Sequence, residues 1–173
     1  MSLLSRMKNR GLAALATAFP SLGERFAAGY RAERQEGGVP WVPVRKPLSA
    51  STVAFVTTAG VHHRNQTPYD MHDHDGDPSF RELDLSLPLD SLMITHDYYD
   101  HGDADRDLNV VFPVERLREL AAVGEIGGVA RFAYGFMGHI TGRHLETLKR
   151  RTAPEVAARL KKAGVDAVLL APG

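Results

Sequence analysis

Two short runs limit what this chain can fold into. "VAFVTT" (residues 53–58) and "VDAVLLA" (165–171) are apolar at almost every position and rich in β-branched residues. A strand with one wet face alternates apolar and polar residues. A run that is apolar throughout has to be covered on both faces, which is the condition of a central strand in a parallel sheet. Helical patterns stand between such runs. "VERLRELAAVG" is opened by Pro113 and closed by Gly124, the residues that suit a helix start and a left-handed stop. "TAPEVAARLKKAG" offers Thr152 as N-cap, Pro154 in the first turn, Glu155 for a capping box and Gly164 as stop. "SLMITH" and "VARFAYGFMG" supply further short strands, with an edge strand around Phe80 to Leu83. Strands alternating with helices predict an α/β fold: an open, mainly parallel, doubly wound sheet of the flavodoxin or Rossmann kind, helices on both faces, whose C-terminal strand is either a natural edge or the point where the sheet is truncated.

The domain so defined spans residues 51–173. Residues 39–50 form a linker, because prolines at 40, 43 and 47 remove backbone donors and disfavour helix before them; Trp41 is expected to pack onto the body. Residues 1–38 read as a helical appendage in two pieces broken at Pro20, the second ending at Gly37-Gly38. Basic residues ahead of an apolar stretch imitate a secretory signal, but that stretch is short and contains Gly11. An amphipathic pattern through Leu22, Phe26 and Tyr30 continues beyond it, so a cytoplasmic appendage is the expectation. No run reaches the eighteen or so apolar residues that span a bilayer. The 21 basic and 21 acidic residues cancel, leaving no global field for nucleic acid or anionic lipid. With no cysteine there is no disulfide, thiolate metal site or thiol nucleophile.

In doubly wound sheets ligands sit beyond the carboxyl ends of the strands. Three such ends matter: Ala59-Gly60-Val61-His62, His96-Asp97-Tyr98-Tyr99 and Pro172-Gly173. Six of the eight histidines fall between residues 62 and 101. His62 and His63 follow a strand-terminal glycine, where a histidine can act as general acid or base or simply cap the sheet by bonding a carbonyl. The residues leave both readings open. His72, His74 and Asp75 have metal-ligand chemistry but no helical ligand spacing. The Asp103, Asp105, Asp107 series lacks the glycine and glutamate of a calcium loop; Asp and Asn there either fix turns through their own backbone or present charge to a ligand. "GEIGG" follows a helix rather than a strand, so no nucleotide cofactor is indicated.

Taken in order, "VTTAGVH", "DPSFRE", "HDYYDHGDADRDLNVVFPVERLRELAAVGEIG", "FMG" and "GVDAVLLAPG" resemble the selenoprotein B family of glycine, sarcosine, betaine and D-proline reductases. The likeness runs from about Pro40 to Gly173 and omits the helical appendage. In that family the strand similar to "VDAVLLA" passes through a glycine into a selenocysteine, or a cysteine in some members, with a further cysteine soon after. The resemblance therefore implies a selenocysteine at position 174, with its UGA codon read as a stop, and further strand-helix units beyond. It also implies reductive cleavage of a carbon–nitrogen bond α to a carboxylate in a small amino-acid or amine substrate, within an oligomeric assembly. No cofactor is expected in this chain; a pyruvoyl group on a partner subunit holds the amine, and a dithiol donor supplies electrons. The catalytic candidates are His62, His96 and Asp100, and the substrate-binding candidates His63, Tyr99, Asp107 and Asn109. Two departures, the long "HHRNQTPYDMHDHDGD" loop and the pair Tyr98 and His101, suggest a substrate other than proline. As written the chain lacks its nucleophile and is expected to be inactive alone. The alternative is a redox-silent module that uses the His/Asp loops, with His72, His74 and Asp75, for a metal or anionic ligand.

Overall fold

In the computed structural model, residues 3–28 and 42–173 are described. The expectations for Tyr30, Gly37, Gly38, Pro40 and Trp41 lie outside them. Strand β1 (Thr52–Thr57) is the centre of the main sheet. On one side it pairs in parallel with β7 (Ala167–Ala171) over five positions, from Val53 opposite Ala167 to Thr57 opposite Ala171. On the other side its partner is interrupted: β5 (Gly128–Val129) matches its start and β6 (Phe132–Gly135) its end, both parallel. β3 (Arg81–Asp84) closes that side antiparallel to β6. The sheet is thus mixed and mostly parallel.

The continuous apolar character of β1 follows from its two covers. Val53 and Phe55 face a core shared with Leu83, Phe112, Val114 and Leu117, the last two from α4 (Val114–Ala122). Ala54 and Val56 face the opposite core, with Tyr134, Phe136, Val156 and Leu160, the last two from α6 (Ala153–Lys162). Phe55 and Phe112, both buried, meet edge to face at 5.1 Å, the arrangement their ring quadrupoles favour. Helices cover both faces, as the alternation of elements predicts.

α1 (Leu3–Ala18) and α2 (Pro20–Ala28) meet at Pro20 as expected. α4 begins after Pro113 and stops at Gly124, whose φ of 79° a side chain would resist. Two expectations fail. "SLMITH" supplies β4 (Leu92–Ile94), but this strand leaves the main sheet and pairs antiparallel with β2 (Val61–His63) in a two-stranded ribbon. Gly60 causes the exit: its φ is 75°, and a Cβ there would stand 2.5 Å from the Thr95 carbonyl oxygen. The chain turns so tightly that the residues after it can meet β4 only in this way. Thr152 is no N-cap either. Its backbone is helical, its side chain caps nothing, and one helix runs through from α5 (His144–Thr147) across a π turn, Leu148–Thr152, into α6. Pro154 has no N–H to close an α-helical bond to Arg150, and the wider π turn just before it absorbs that loss. Thr152 Oγ1 is left buried without a partner.

The acid-rich loops owe much of their composition to turns. Asp70, Asp73, Asp77, Asp84, Asp100 and Asp107 each accept the backbone N–H two residues on, at 2.7 to 3.1 Å. This short-range bond is the reason Asp punctuates irregular segments.

The two edges of the main sheet differ. β3 has Arg81, Glu82 and Asp84 on its edge, with Glu82 bound by Arg159 and Asp84 by Arg131. β7 is apolar from end to end, and Leu170 is 70% exposed.

Candidate functional site at the carboxyl ends of the strands

Three backbone segments cross where β1, β6 and β7 end. Thr58 N donates to Ala171 O at 3.1 Å, and Gly60 N to Phe136 O at 2.9 Å. Ala59 forms an antiparallel bridge with Met137. Gly173 N reaches Thr58 Oγ1 at 3.1 Å. The approach is close enough to require glycine twice: a Cβ on Gly173 would lie 2.3 Å from Ala59 Cα, and one on Gly138 would lie 2.9 Å from the Gly173 carbonyl oxygen.

His96 sits at this crossing, 3% exposed. Its Nε2 faces the Gly138 N–H at 3.1 Å and its Nδ1 the Tyr98 N–H at 3.2 Å. A neutral imidazole has one in-plane lone pair, so it accepts from one of these amides at a time; a protonated ring could accept from neither. Burial, with lesser repulsion from His139 and His101, pulls its pKa down to about 4 against the opposing pull of Asp97. Near neutral pH His96 is therefore an acceptor of backbone hydrogen bonds. Tyr99 lies 4.8 Å away, ring edge to ring face, and its hydroxyl donates to Ala59 O at 3.1 Å; burial pushes its phenol up, so it keeps its proton. Tyr98 stacks on His139 at 3.9 Å.

Beside this crossing a cleft of about 760 Å³ opens, with His96, Asp97, Asp107, Asn109, Arg6 and Arg10 in its wall. Arg6 of α1 ties the appendage to the body here: its Nε donates to Asp97 Oδ2 at 2.5 Å, and the Asp97 side chain is only 4% exposed. Asp107 accepts from Asn109, which also donates to Glu115 at 2.6 Å.

The nominated residues thus divide. His96 and Tyr99 meet at the strand ends, and Asp107 and Asn109 share the cleft with His96. Asp100 is exposed and caps the start of α3 (Gly102–Arg106) through the Gly102 N–H. His62 and His63 lie in the β2–β4 ribbon with both ring nitrogens occupied. His62 Nδ1 donates to the His63 carbonyl and its Nε2 accepts from Thr95 Oγ1, each at 2.8 Å. His63 accepts from Asp84 N at 3.1 Å and donates to Ser91 Oγ at 2.9 Å. Burial lowers both pKa values. Of the two roles open to His62 from sequence, the geometry is that of the carbonyl-bonding histidine.

Among the described residues no group of three or more His, Asp and Glu side chains is arranged to hold a metal ion. The His74 side chain is 94% exposed, and Asp73 is taken up by Arg143 and His144. Thr58 and Asp97 are not among the candidates nominated from the sequence. Asp97 follows a nominated histidine and Thr58 directly follows β1, and those positions next to strand ends are the only local signal for them. Among the described residues no helix is long and apolar enough to cross a membrane.

The family model for glycine/sarcosine/betaine reductase selenoprotein B matches residues 9–172. That span takes in α2 and much of α1, so the appendage, expected to lie outside the likeness, is largely within it. The D-proline reductase subunit gamma of Acetoanaerobium sticklandii is 41% identical over 133 residues, which cover 77% of this chain and 53% of that protein. The glycine reductase complex component B subunit gamma of Carboxydothermus hydrogenoformans is 32% identical over 136 residues, 76% of this chain and 30% of that protein. The betaine reductase complex component B subunit beta of Peptoclostridium acidaminophilum is 31% identical over 134 residues, 72% of this chain and 28% of that protein. The chain spans about half the length of the first relative and under a third of the others. No solved structure matches it significantly. With the family model extending over nearly its whole length, this chain belongs to the glycine/sarcosine/betaine reductase selenoprotein B family.

Proposed function

We propose that this chain forms part of a subunit that reductively cleaves a carbon–nitrogen bond α to a carboxylate, with a selenocysteine or cysteine directly after Gly173 as nucleophile. The observation that supports this best is the position of Gly173: β7 ends between Ala59 and Gly138, next to the ring of His96. This is the end of the sheet where an α/β fold binds its ligands.

The chemistry balances in three steps. A selenolate attacks the α-carbon; a carbon–selenium bond forms as the carbon–nitrogen bond breaks, and the amine leaves with a proton. A neighbouring thiolate then attacks selenium, the carbon takes a proton, and the selenide–sulfide bridge is reduced by a dithiol donor that becomes a disulfide. A polarizable chalcogenolate, ionised at neutral pH, suits the first step. A pyruvoyl group on the partner subunit supplies the electron sink at the amine; it belongs to that partner and asks no ligand of this chain. Here His96 and Tyr99 shape the floor on which the nucleophile rests, while Asp107, Asn109 and Arg10 line the adjoining cleft and orient a small amino-acid or amine substrate. The apolar outer edge of β7 supports further strand-helix units packing there.

The test is to read the codon after Gly173 and the residue it specifies by mass spectrometry, then to assay the complete protein with its pyruvoyl partner and a dithiol. Selenocysteine or cysteine with substrate-dependent amine release is the expected result. An ordinary stop codon, with no downstream frame holding a cysteine, would refute the proposal.

A further inference from the structure

Thr57 ends β1 and Thr58 follows it, and the two do different things. Thr57 is buried; its hydroxyl donates to Val111 O and accepts from Ala59 N, both at 3.1 Å, which makes it part of the core. Thr58 is half-buried, and its N–H and its hydroxyl are both spent on the exit of β7. Its N–H holds the Ala171 carbonyl and its hydroxyl holds the Gly173 N–H, so it grips the chain on either side of Pro172, which has no N–H to offer. From the other side Gly138 closes on the same turn: the point where a Gly138 Cβ would stand lies 2.9 Å from the Gly173 carbonyl oxygen, 3.2 Å from the Thr58 carbonyl oxygen and 3.4 Å from His96 Nε2. The carbonyl end of Gly173 and the ring of His96 therefore border one small space, reached only because residue 138 has no side chain. Gly138 is itself held by its N–H to His96.

We propose that Thr58 is a positioning residue which, with Gly138 opposite, fixes the turn after β7 and so sets the orientation of the residue that follows Gly173. The proposal rests on the reading that this residue is the nucleophile. A turn gripped on both sides of a proline has few ways to move, which restricts the directions open to its successor beside the space that Gly138 and His96 border. Without the hydroxyl, the turn keeps only the backbone bond to Ala171 and samples other exits.

The experiment uses the full-length protein with a cysteine at position 174 and follows its alkylation by iodoacetamide against pH. In the parent protein the midpoint is expected to lie away from the value of about 8.5 of an unconstrained thiol. Thr58→Val returns it toward that value, and Thr58→Ser, which keeps the hydroxyl, does not. In the assembled complex Thr58→Val lowers kcat about fivefold, the worth of one ordinary hydrogen bond, and leaves KM within about twofold. Should Thr58→Val not fold, Gly138→Ala presses on the same turn from the other side and is expected to shift the same midpoint. A parent midpoint already at the unconstrained value, or a variant profile superimposed on the parent's, overturns the proposal. Because the cysteine is placed at position 174 by design, this result is independent of which residue nature puts there, so failure of the wider functional reading is seen separately.

Discussion

Acid should destabilise this protein through one buried ring. His96 is 3% exposed, and each of its nitrogens faces a backbone N–H. Its pKa is pulled from the ordinary 6.5 to about 4, chiefly by burial. Above pH 6.5 the ring is neutral in both folded and unfolded chains, and its contribution is fully present. Between 6.5 and 4 the unfolded chain takes up the proton and the folded chain resists, so stability falls. Below about 4 both forms hold the proton and no further loss comes from this group. At roughly 1.4 kcal/mol per pH unit, the gap amounts to about 3 kcal/mol, a large share of the 5–15 kcal/mol typical of a domain. The measurement is urea unfolding from pH 7 to 4 for the parent and for His96→Asn, which cannot titrate and whose amide oxygen still accepts one of the two N–H groups. His62, His63 and the carboxylates titrate in both proteins, so they cancel in the difference. The parent should lose about 3 kcal/mol more than the variant across that window. Parallel stability curves would show that the ring takes its proton without penalty, and would refute the account of His96 as a buried neutral acceptor facing two amides.

Other perturbations follow from the packing. Thr152→Val removes a buried hydroxyl that has no partner and should stabilise the fold by about 1 kcal/mol; an unchanged or lower thermal midpoint would mean that the hydroxyl is satisfied. Gly60→Ala places a Cβ 2.5 Å from Thr95 O at a φ of 75° and should cost about 2 kcal/mol or more, read by urea unfolding, with the β2–β4 ribbon losing amide protection first. Arg6→Ala leaves Asp97 buried without its guanidinium and should cost about 2 kcal/mol, less than a fully buried pair because Arg6 is 30% exposed. In a double-mutant cycle, adding Asp97→Asn should recover most of that loss.

The parts of the fold legible in sequence are those where one residue has only one use. A run such as "VAFVTT" has almost no face to show to water, and Pro113 and Gly124, on either side of an amphipathic pattern, mark a helix start and stop. Where a residue has two uses, the reading went astray. Thr152 and Glu155 fit a capping box as well as a continuing helix, and nothing local says that a helix already arrives from His144. Leu92–Ile94 is a convincing strand, but three apolar residues do not name their partner; the glycine at residue 60 chose it from thirty residues away. The site shows the same division. His96 and Tyr99 were nominated because they follow a strand, and the structure brings them together at the ends of β1, β6 and β7. His62 and His63 have the same signature, yet each spends both ring nitrogens inside the ribbon, a fact that only the tertiary neighbours decide. The Asp-rich loops could be read as ligand sites because turn-fixing Asp and ligand Asp are the same residue type.

The central position of β1 also sets the order in which the chain can assemble. Its parallel partners all come late, at residues 128, 132 and 167 onward, and Asp166, which receives the Thr52 N–H, is 114 residues away in sequence. Closing so long a loop has to precede the ladder that rewards it. During synthesis β1 therefore emerges as an apolar strand with no neighbour, while α4 and the β2–β4 ribbon can form from nearby residues. Collapse of the sheet should be a late, slow and cooperative event, and for the time it takes, the central strand of the sheet is the one most in need of protection from other chains.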